Sequence, residues 1–275
     1  MLSGPYKTPA SYCHMQEAID LLRGCYLQFK SFPIGKSAGG RDITALCIGS
    51  PAGSSLYIGG IRGREWLTAT VLLRFYGNLL HGVEHGGCVS DINVGSALAD
   101  RPVTIIPCLN PDGADISLGK QAPQNGEPVP CQTSQGNGNG VDISFNFDAG
   151  WRNTLDGGPH PGSEPETQAL TAFCLHYRPR SLYCLRCPGE SIHYHYGANT
   201  PARSRMIGQI LASSAGYALA KPDSPALHGS PMGWFIEKSR KPGFMIEIGD
   251  TDMSSGQSNR TYYRVEEMLM LAALL

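Results

Sequence analysis

Leu56-Tyr57-Ile58-Gly59-Gly60-Ile61-Arg62-Gly63-Arg64-Glu65-Trp66 runs from an apolar stretch, through paired glycines, into a charged turn. Leu56 to Ile61 reads as a strand. A long helix is expected from about Glu65 to Leu80, with Leu72, Leu73 and Tyr76 on its inner face. Outward from this unit, Val103 to Leu109 is a continuous apolar run, the mark of a strand buried on both faces. Ile43 to Ile48, Leu182 to Cys187, Ser191 to Tyr196 and Phe244 to Ile248 read as further strands. Helical spacing predicts helices over Met15 to Phe29, Glu164 to Tyr177, Ala202 to Ser214 and Tyr262 to Leu275. Ser163 is expected as an N-cap, with Glu166 as its capping-box acid. Strands alternating with helices, with no repeat and no linker, predict one α/β domain over residues 1–275 built on a largely parallel sheet. Function in such sheets sits at the carboxyl ends of the strands. Asn110 to Gly150, rich in Gly, Asn, Gln and Pro, is too long for an idle connection.

Composition narrows the function. Charged residues are 16%, below the usual quarter or so, which argues against broad disorder and coiled coil. Lys and Arg number 22 against 23 acids, a formal net charge of -1, so no nucleic-acid partner is expected. No apolar run reaches spanning length, so no membrane partner is expected either. Met1 to Ser11 shows no apolar core of a signal peptide. The nine cysteines are odd in number and scattered, which fits reduced thiols in a cytoplasmic protein better than a disulfide framework.

Four segments fall at expected strand ends: Gly59 to Trp66, Asn110-Pro111-Asp112-Gly113, Gly140-Val141-Asp142-Ile143-Ser144-Phe145-Asn146-Phe147, and Pro242-Gly243-Phe244-Met245-Ile246-Glu247-Ile248-Gly249. In this order and at these separations the chain resembles the zinc metallocarboxypeptidases, the carboxypeptidase A-like peptidases, and within them the bacterial carboxypeptidase T and murein-peptide endopeptidase branches. Gly35 to Ile43 matches that family's first hairpin, Ser163-Glu164-Pro165-Glu166-Thr167 its usual helix start, and Arg186-Cys187-Pro188-Gly189-Glu190 the place of His-Ser-Gln-Gly-Glu. The resemblance covers nearly the whole chain and implies a single α/β domain on a twisted, mixed sheet.

The resemblance also implies a zinc site, and here the chain departs from the pattern. The family holds zinc with His-x-x-Glu and a distant histidine, leaving one position open for water. This chain has Arg62-Gly63-Arg64-Glu65, so the carboxylate is present and the histidine position is arginine. The distant position is Arg186. Glu247 stands at the family's general-base position, and Arg64 matches a substrate-contact arginine. The carboxylate-clamping Asn-Arg pair falls on Ser144-Phe145, Cys131 to Gln135 hold no arginine, and Pro225 to His228 hold no tyrosine. A guanidinium has no lone pair to give a metal at neutral pH. Two arginines do supply the two positive charges of the ion, so Arg62 and Arg186 are expected to fill its space and pair with Glu65 and Glu247. That pairing should depress the Glu247 pKa and spoil it as a base.

Other motifs carry less. Cys184-x-x-Cys187 with His193 and His195 suggests a rebuilt metal site in which Cys187 and the histidines share one strand face. Core cysteine and pocket-lining histidine is the preferred reading. A Cys187–His193 thiol mechanism lacks an orienting third group. Asn137-Gly138-Asn139-Gly140 lacks the Lys-Ser/Thr of a P-loop, and Thr251 to Ser258 are too poor in acids for a calcium loop.

The preferred function is therefore a carboxypeptidase-like protein without catalytic zinc or peptidase activity. It would bind a peptide or a small carboxylate anion in the former cleft, over Arg62, Arg64, Glu65 and Arg186, with His193 lining the pocket and no cofactor. One alternative is an active metallocarboxypeptidase or murein-peptide hydrolase with a non-standard zinc site. Another is a structural or partner-binding protein whose cleft is sealed by ion pairs.

Overall fold

The computed structural model describes residues 6, 9–121, 134–154, 156–222, 224, 227–249 and 255–275. Ten strands are described: β1 (Ser31–Lys36), β2 (Asp42–Ile48), β3 (Ser55–Ile58), β4 (Cys88–Val89), β5 (Ile92–Asn93), β6 (Val103–Ile106), β7 (Ser181–Arg186), β8 (Ser191–His193), β9 (Ala218–Leu219) and β10 (Gly243–Glu247). The helices are α1 (Tyr12–Cys25), α2 (Trp66–His85), α3 (Val94–Leu98), α4 (Pro111–Ser117), α5 (Pro165–Tyr177), α6 (Ser204–Ala215), α7 (Pro231–Ser239) and α8 (Ser255–Leu274), with a 3-10 turn at Ile143–Phe145. Eight strands form one sheet in the order β1-β2-β6-β3-β7-β10-β8-β9, and β4 pairs with β5 apart from it. The central run β6-β3-β7-β10 is parallel, and antiparallel β2 and β8 flank it. This is a single α/β domain on a mostly parallel mixed sheet.

Strand alternation divides the core in two. Tyr57, Tyr183 and Phe244 stand side by side across β3, β7 and β10 and join α1, α2, α6 and α8 in one buried cluster. Their rings stack at centroid distances of 5.0 Å and 5.3 Å. Leu56, Ile58, Leu182, Cys184 and Met245 face the other way, onto α5 and α7. With helices on both faces, β3 and β6 bury every residue and β7 and β10 all but their last, so alternation of polar with apolar disappears from their sequence.

Several boundaries differ from the sequence reading. Helix α1 starts at Tyr12 because the Ser11 hydroxyl accepts from the His14 N–H, and it ends at Cys25 rather than Phe29. Strands β3, β6, β7 and β8 stop short of Ile61, Leu109, Cys187 and Tyr196, which belong to the turns beyond them. Helix α2 runs on to His85, where Gly86 takes a left-handed conformation. The expected capping box at α5 does not form. Glu164 is the N-cap without a side-chain cap bond, and Ser163 donates instead to Glu164. Glu166 is turned away, accepting from the Ala38 N–H at 2.9 Å and from Asn137 at 2.9 Å, so it ties β1's turn to the loop. The Asn110 to Gly150 stretch contains α4, capped by Asn110 with Pro111 in its first turn, as well as the 3-10 turn. The Thr251 to Ser258 reading lies largely outside the residues whose side chains are described. Among the described residues, no helix is long and apolar enough to cross a membrane.

Candidate functional site

The carboxyl ends of β3, β7 and β10 converge on one point. After Ile58 the chain turns beside β6 so closely that a Cβ on Gly59 would lie 2.9 Å from the Pro107 carbonyl oxygen. Thr68 of α2 accepts from the Gly60 N–H at 2.7 Å and fixes the turn to the helix. Gly63 is held by its N–H to the Gln135 carbonyl at 3.1 Å. A side chain there would strike the Gly113 carbonyl oxygen at 2.5 Å. The chain then enters α2 with Glu65 at its N-cap.

Glu65 is 2% exposed, and its carboxylate is gripped from two sides. Arg186, the last residue of β7, approaches Glu65 Oε1 with Nε at 2.6 Å. The Arg62 backbone N–H donates to Glu65 Oε2 at 3.2 Å. Burial pushes the Glu65 carboxyl up and Arg186 pulls it back. Burial likewise works against charge on Arg186, but the attraction of Glu65 outweighs it, so its guanidinium stays ionised.

Arg62 goes elsewhere than expected. Its Nε lies 2.7 Å from Asp142 Oδ2 and 3.1 Å from Ser144 Oγ, and its guanidinium sits 5.0 Å from the centre of the Phe145 ring. The Ser144 hydroxyl in turn donates a hydrogen bond to Asp142 Oδ1 at 2.6 Å. The expectation that both arginines pair with Glu65 and Glu247 therefore holds for Arg186 with Glu65 and fails for Arg62. The 3-10 turn presents a carboxylate to Arg62, whereas Glu247 is engaged on its own side of the cleft.

Glu247 ends β10 in register with Arg186 on β7 and Ser191 on β8. It accepts from the Ser191 hydroxyl at 2.7 Å, and His193 Nε2 stands at 3.9 Å, an ion-pair rather than a hydrogen-bond distance. Its carboxyl is held below the ordinary value, chiefly by His193, with Ser191 and Arg186 adding to the effect against opposing burial. The depressed Glu247 pKa was expected, but its main cause is the histidine, not an arginine. His193 Nδ1 is buried without a hydrogen-bond partner among the described residues.

Arg64 is half-buried and its side chain makes no ion pair among the described residues. Cys187 packs against the α2/α8 cluster while Cys184 lies in the α5/α7 cluster, as their odd spacing requires. It is the Cys187 backbone N–H, 3.5 Å from Glu65, that approaches the site. His193 pairs across β10 with Met245, which belongs to the α5/α7 side, so it does not share a face with Cys187. Among the described residues, no three His, Cys, Asp or Glu side chains are grouped to hold a metal ion. Beyond Phe145 opens a cavity of about 240 Å³ lined by Phe145, Arg152, Thr154, Asp156 and His228. Asp142, Ser191 and the cavity residues Arg152, Thr154 and Asp156 were not singled out from the sequence. Ser191 had a signal, since it lies two residues from His193 on one strand face.

A profile of the zinc carboxypeptidases, peptidase M14, matches residues 15–257. The chain belongs to the zinc carboxypeptidase family. Among its curated relatives, gamma-D-glutamyl-L-diamino acid endopeptidase 1 of Lysinibacillus sphaericus is 23% identical over 259 residues, covering 86% of this chain and 65% of the relative. A metallocarboxypeptidase A-like protein of Trichophyton verrucosum is 30% identical over 259 residues, covering 80% of this chain and 57% of the relative. The chain thus spans less than two thirds of the length of these relatives. Among solved structures, bovine thrombin-activatable fibrinolysis inhibitor in complex with tick carboxypeptidase inhibitor superimposes with a TM-score of 0.78 at 16% identity, covering 98% of both chains. Murein-tripeptide amidase MpaA of Escherichia coli O157 superimposes with a TM-score of 0.59 at 22% identity, covering 87% of this chain and 91% of that one. These likenesses establish the zinc carboxypeptidase fold.

Proposed function

We propose that this chain is a zinc carboxypeptidase-family protein that neither holds the catalytic ion nor hydrolyses peptides, and that it binds a peptide or small carboxylate in the inherited cleft. One observation carries the reading: the Glu65 carboxylate, the one family ligand retained, is occupied by the Arg186 guanidinium at 2.6 Å in a buried setting. A metal needs lone pairs, and a guanidinium has only donors. The residues at these positions therefore do not fit a zinc ion, whose partners are thiolates, imidazoles and carboxylates. Glu247, at the general-base position, is kept ionised by His193 and Ser191, but it has no polarised water to deprotonate without the ion.

The binding role falls to other cations than first expected. Arg62 and Arg186 are committed to Asp142 and Glu65, so they supply structure more than a positive floor. Arg64, free of ion pairs among the described residues, and Arg152 in the adjoining cavity are the groups left for a carboxylate. The names of two similar proteins, a gamma-D-glutamyl-L-diamino acid endopeptidase and a murein-tripeptide amidase, make short peptides the first class of ligand to try. The internal pairing of both arginines also favours the sealed-cleft reading, in which the pairs close the site to ligand. The eight described free cysteines support a reducing, cytoplasmic setting.

Elemental analysis of protein prepared without chelator tests the proposal. Zinc well below one ion per chain is expected even after incubation with excess zinc. Stoichiometric, tightly held zinc would overturn it and restore the peptidase reading. Titration with an acetylated dipeptide then separates an open cleft from a sealed one: the Arg64→Gln variant should weaken binding about tenfold, and no binding to the native chain would favour the sealed form.

A further inference from the structure

A second cavity, of about 250 Å³, opens at the opposite end of the sheet from Glu65 and Glu247. Cys174, Leu175, Trp234 and Phe235 give it an apolar floor, and Arg178, Lys238 and Lys241 form its rim. The topology fixes this place. Arg178 follows α5 and lies three residues before β7 begins, while Lys241 follows α7 and lies two before β10 begins. The arginine–glutamate pair stands at the far ends of those same strands, roughly 15–20 Å away at about 3.3 Å per residue.

The rim is a concentration of positive charge without an acid among the lining residues. Among the described residues Lys238 pairs only with exposed Asp148, at 3.2 Å and outside the cavity. Lys241 donates to the Arg178 and Pro179 carbonyls at 2.9 Å and 2.7 Å, which caps the end of α5 and uses two of its three N–H donors. Burial lowers the Lys241 pKa, and repulsion from Arg178 lowers it further, a strain that a bound anion would relieve. Arg178 is fixed in a left-handed conformation at φ 50° as the C-cap of α5, and its guanidinium has no ion pair among the described residues. Burial keeps the Cys174 thiol protonated, so it contributes apolar surface and not a nucleophile.

We propose that this cavity binds a small amphipathic carboxylate, an aryl or short alkyl acid, with its apolar body on Trp234 and Leu175 and its carboxylate at Arg178 and Lys241. The volume lies below the roughly 300–1,000 Å³ of pockets for drug-sized ligands, which limits the ligand to one ring or a short chain. This site is independent of the cleft and of any activity there.

Benzoate and hexanoate are suitable probes, read at the indole N–H resonance of Trp234 by two-dimensional NMR. Of the three tryptophans, Trp234 is the one that lines this cavity, and Trp66 and Trp151 lie elsewhere. We expect a saturable shift of the Trp234 signal with both acids. Benzamide and hexanamide should bind about tenfold more weakly, as should benzoate to the Arg178→Asn variant, since asparagine tolerates the left-handed backbone. Leu175→Asp, at an exposed position, should abolish the shift while leaving the fold intact. An unmoved Trp234 signal up to about 10 mM acid, or equal affinity for acid and amide, would overturn the proposal.

Discussion

Removing the charge beside a buried carboxylate should be the costliest single change at this site. Arg186→Met leaves Glu65, 2% exposed, without its cation. We expect a loss of about 3–5 kcal/mol in urea unfolding. The double variant Glu65→Gln with Arg186→Met should recover most of it, because a buried pair replaced by neutral groups is close to neutral. A single variant as stable as the native chain would show that the pair is not buried. Arg62 differs in degree. Its side chain is 23% exposed and leans on Phe145 as well as Asp142, so Arg62→Ala should cost only about 1 kcal/mol. Glu247 yields a pH dependence. Its folded pKa lies below the ordinary 4.5, so the charged form adds stability that is complete above that value and fades as pH falls through the lower folded one. The gap in stability between the native chain and Glu247→Gln should therefore be widest near neutrality and close on acidification below about 4.5. A gap that widens in acid would reverse the sign. Arg186 and Glu65 could be paired from the sequence through the family register, but Arg62 with Asp142 could not. Arg62 reaches Asp142 and its neighbour Ser144, the latter 82 positions away, and no local periodicity encodes such a meeting.

At the scale of elements, the 3-10 turn Ile143–Phe145 decides what the cleft can do. It carries Ser144 and Phe145 where the resemblance implies an Asn-Arg clamp for a terminal carboxylate, and it spends Asp142 on Arg62. The double reversion Arg62→His with Arg186→His should recover zinc affinity, measured by competition with a chromogenic chelator, because imidazoles would then join Glu65. Carboxypeptidase turnover should stay poor in that variant, as the turn offers a carboxylate no guanidinium. Robust exopeptidase turnover would show that the clamp has been misjudged. The same scale explains which elements are legible. Strand β3 and helix α2 are visible because glycines and a charged turn part an apolar run from a helical stripe. Helix α7 is not, since Pro231 to Ile236 are all buried and the stripe that marks an amphipathic helix is missing. Helix α4 hides for a related reason, being seven residues long and buried from Pro111 to Ile116.

The whole molecule closes on α8, most of which lies beyond the residues 15–257 that carry the family match. This helix packs on α6 and α2 and covers the face of the sheet where Tyr57, Tyr183 and Phe244 stack. The Tyr57 hydroxyl, buried in the middle of β3, donates to the Leu269 carbonyl at 2.8 Å and fixes the helix to the strand that leads into the cleft. Val265, Met268, Leu269 and Met270 are fully buried there. At about 1.5–3 kcal/mol for each large apolar side chain, these four alone contribute roughly 6–12 kcal/mol. That matches the whole net stability of an ordinary domain, about 5–15 kcal/mol. A chain ending at Gln257 should therefore fail to fold, although it keeps every residue proposed for the cleft. Tyr57→Phe is the gentler probe: it should cost about 1 kcal/mol and raise amide exchange in α8 before the rest of the domain. A truncated chain with a cooperative melt and dispersed amide resonances would mean that the sheet's second face needs no cover, and that the site stands on β3, β7 and β10 alone.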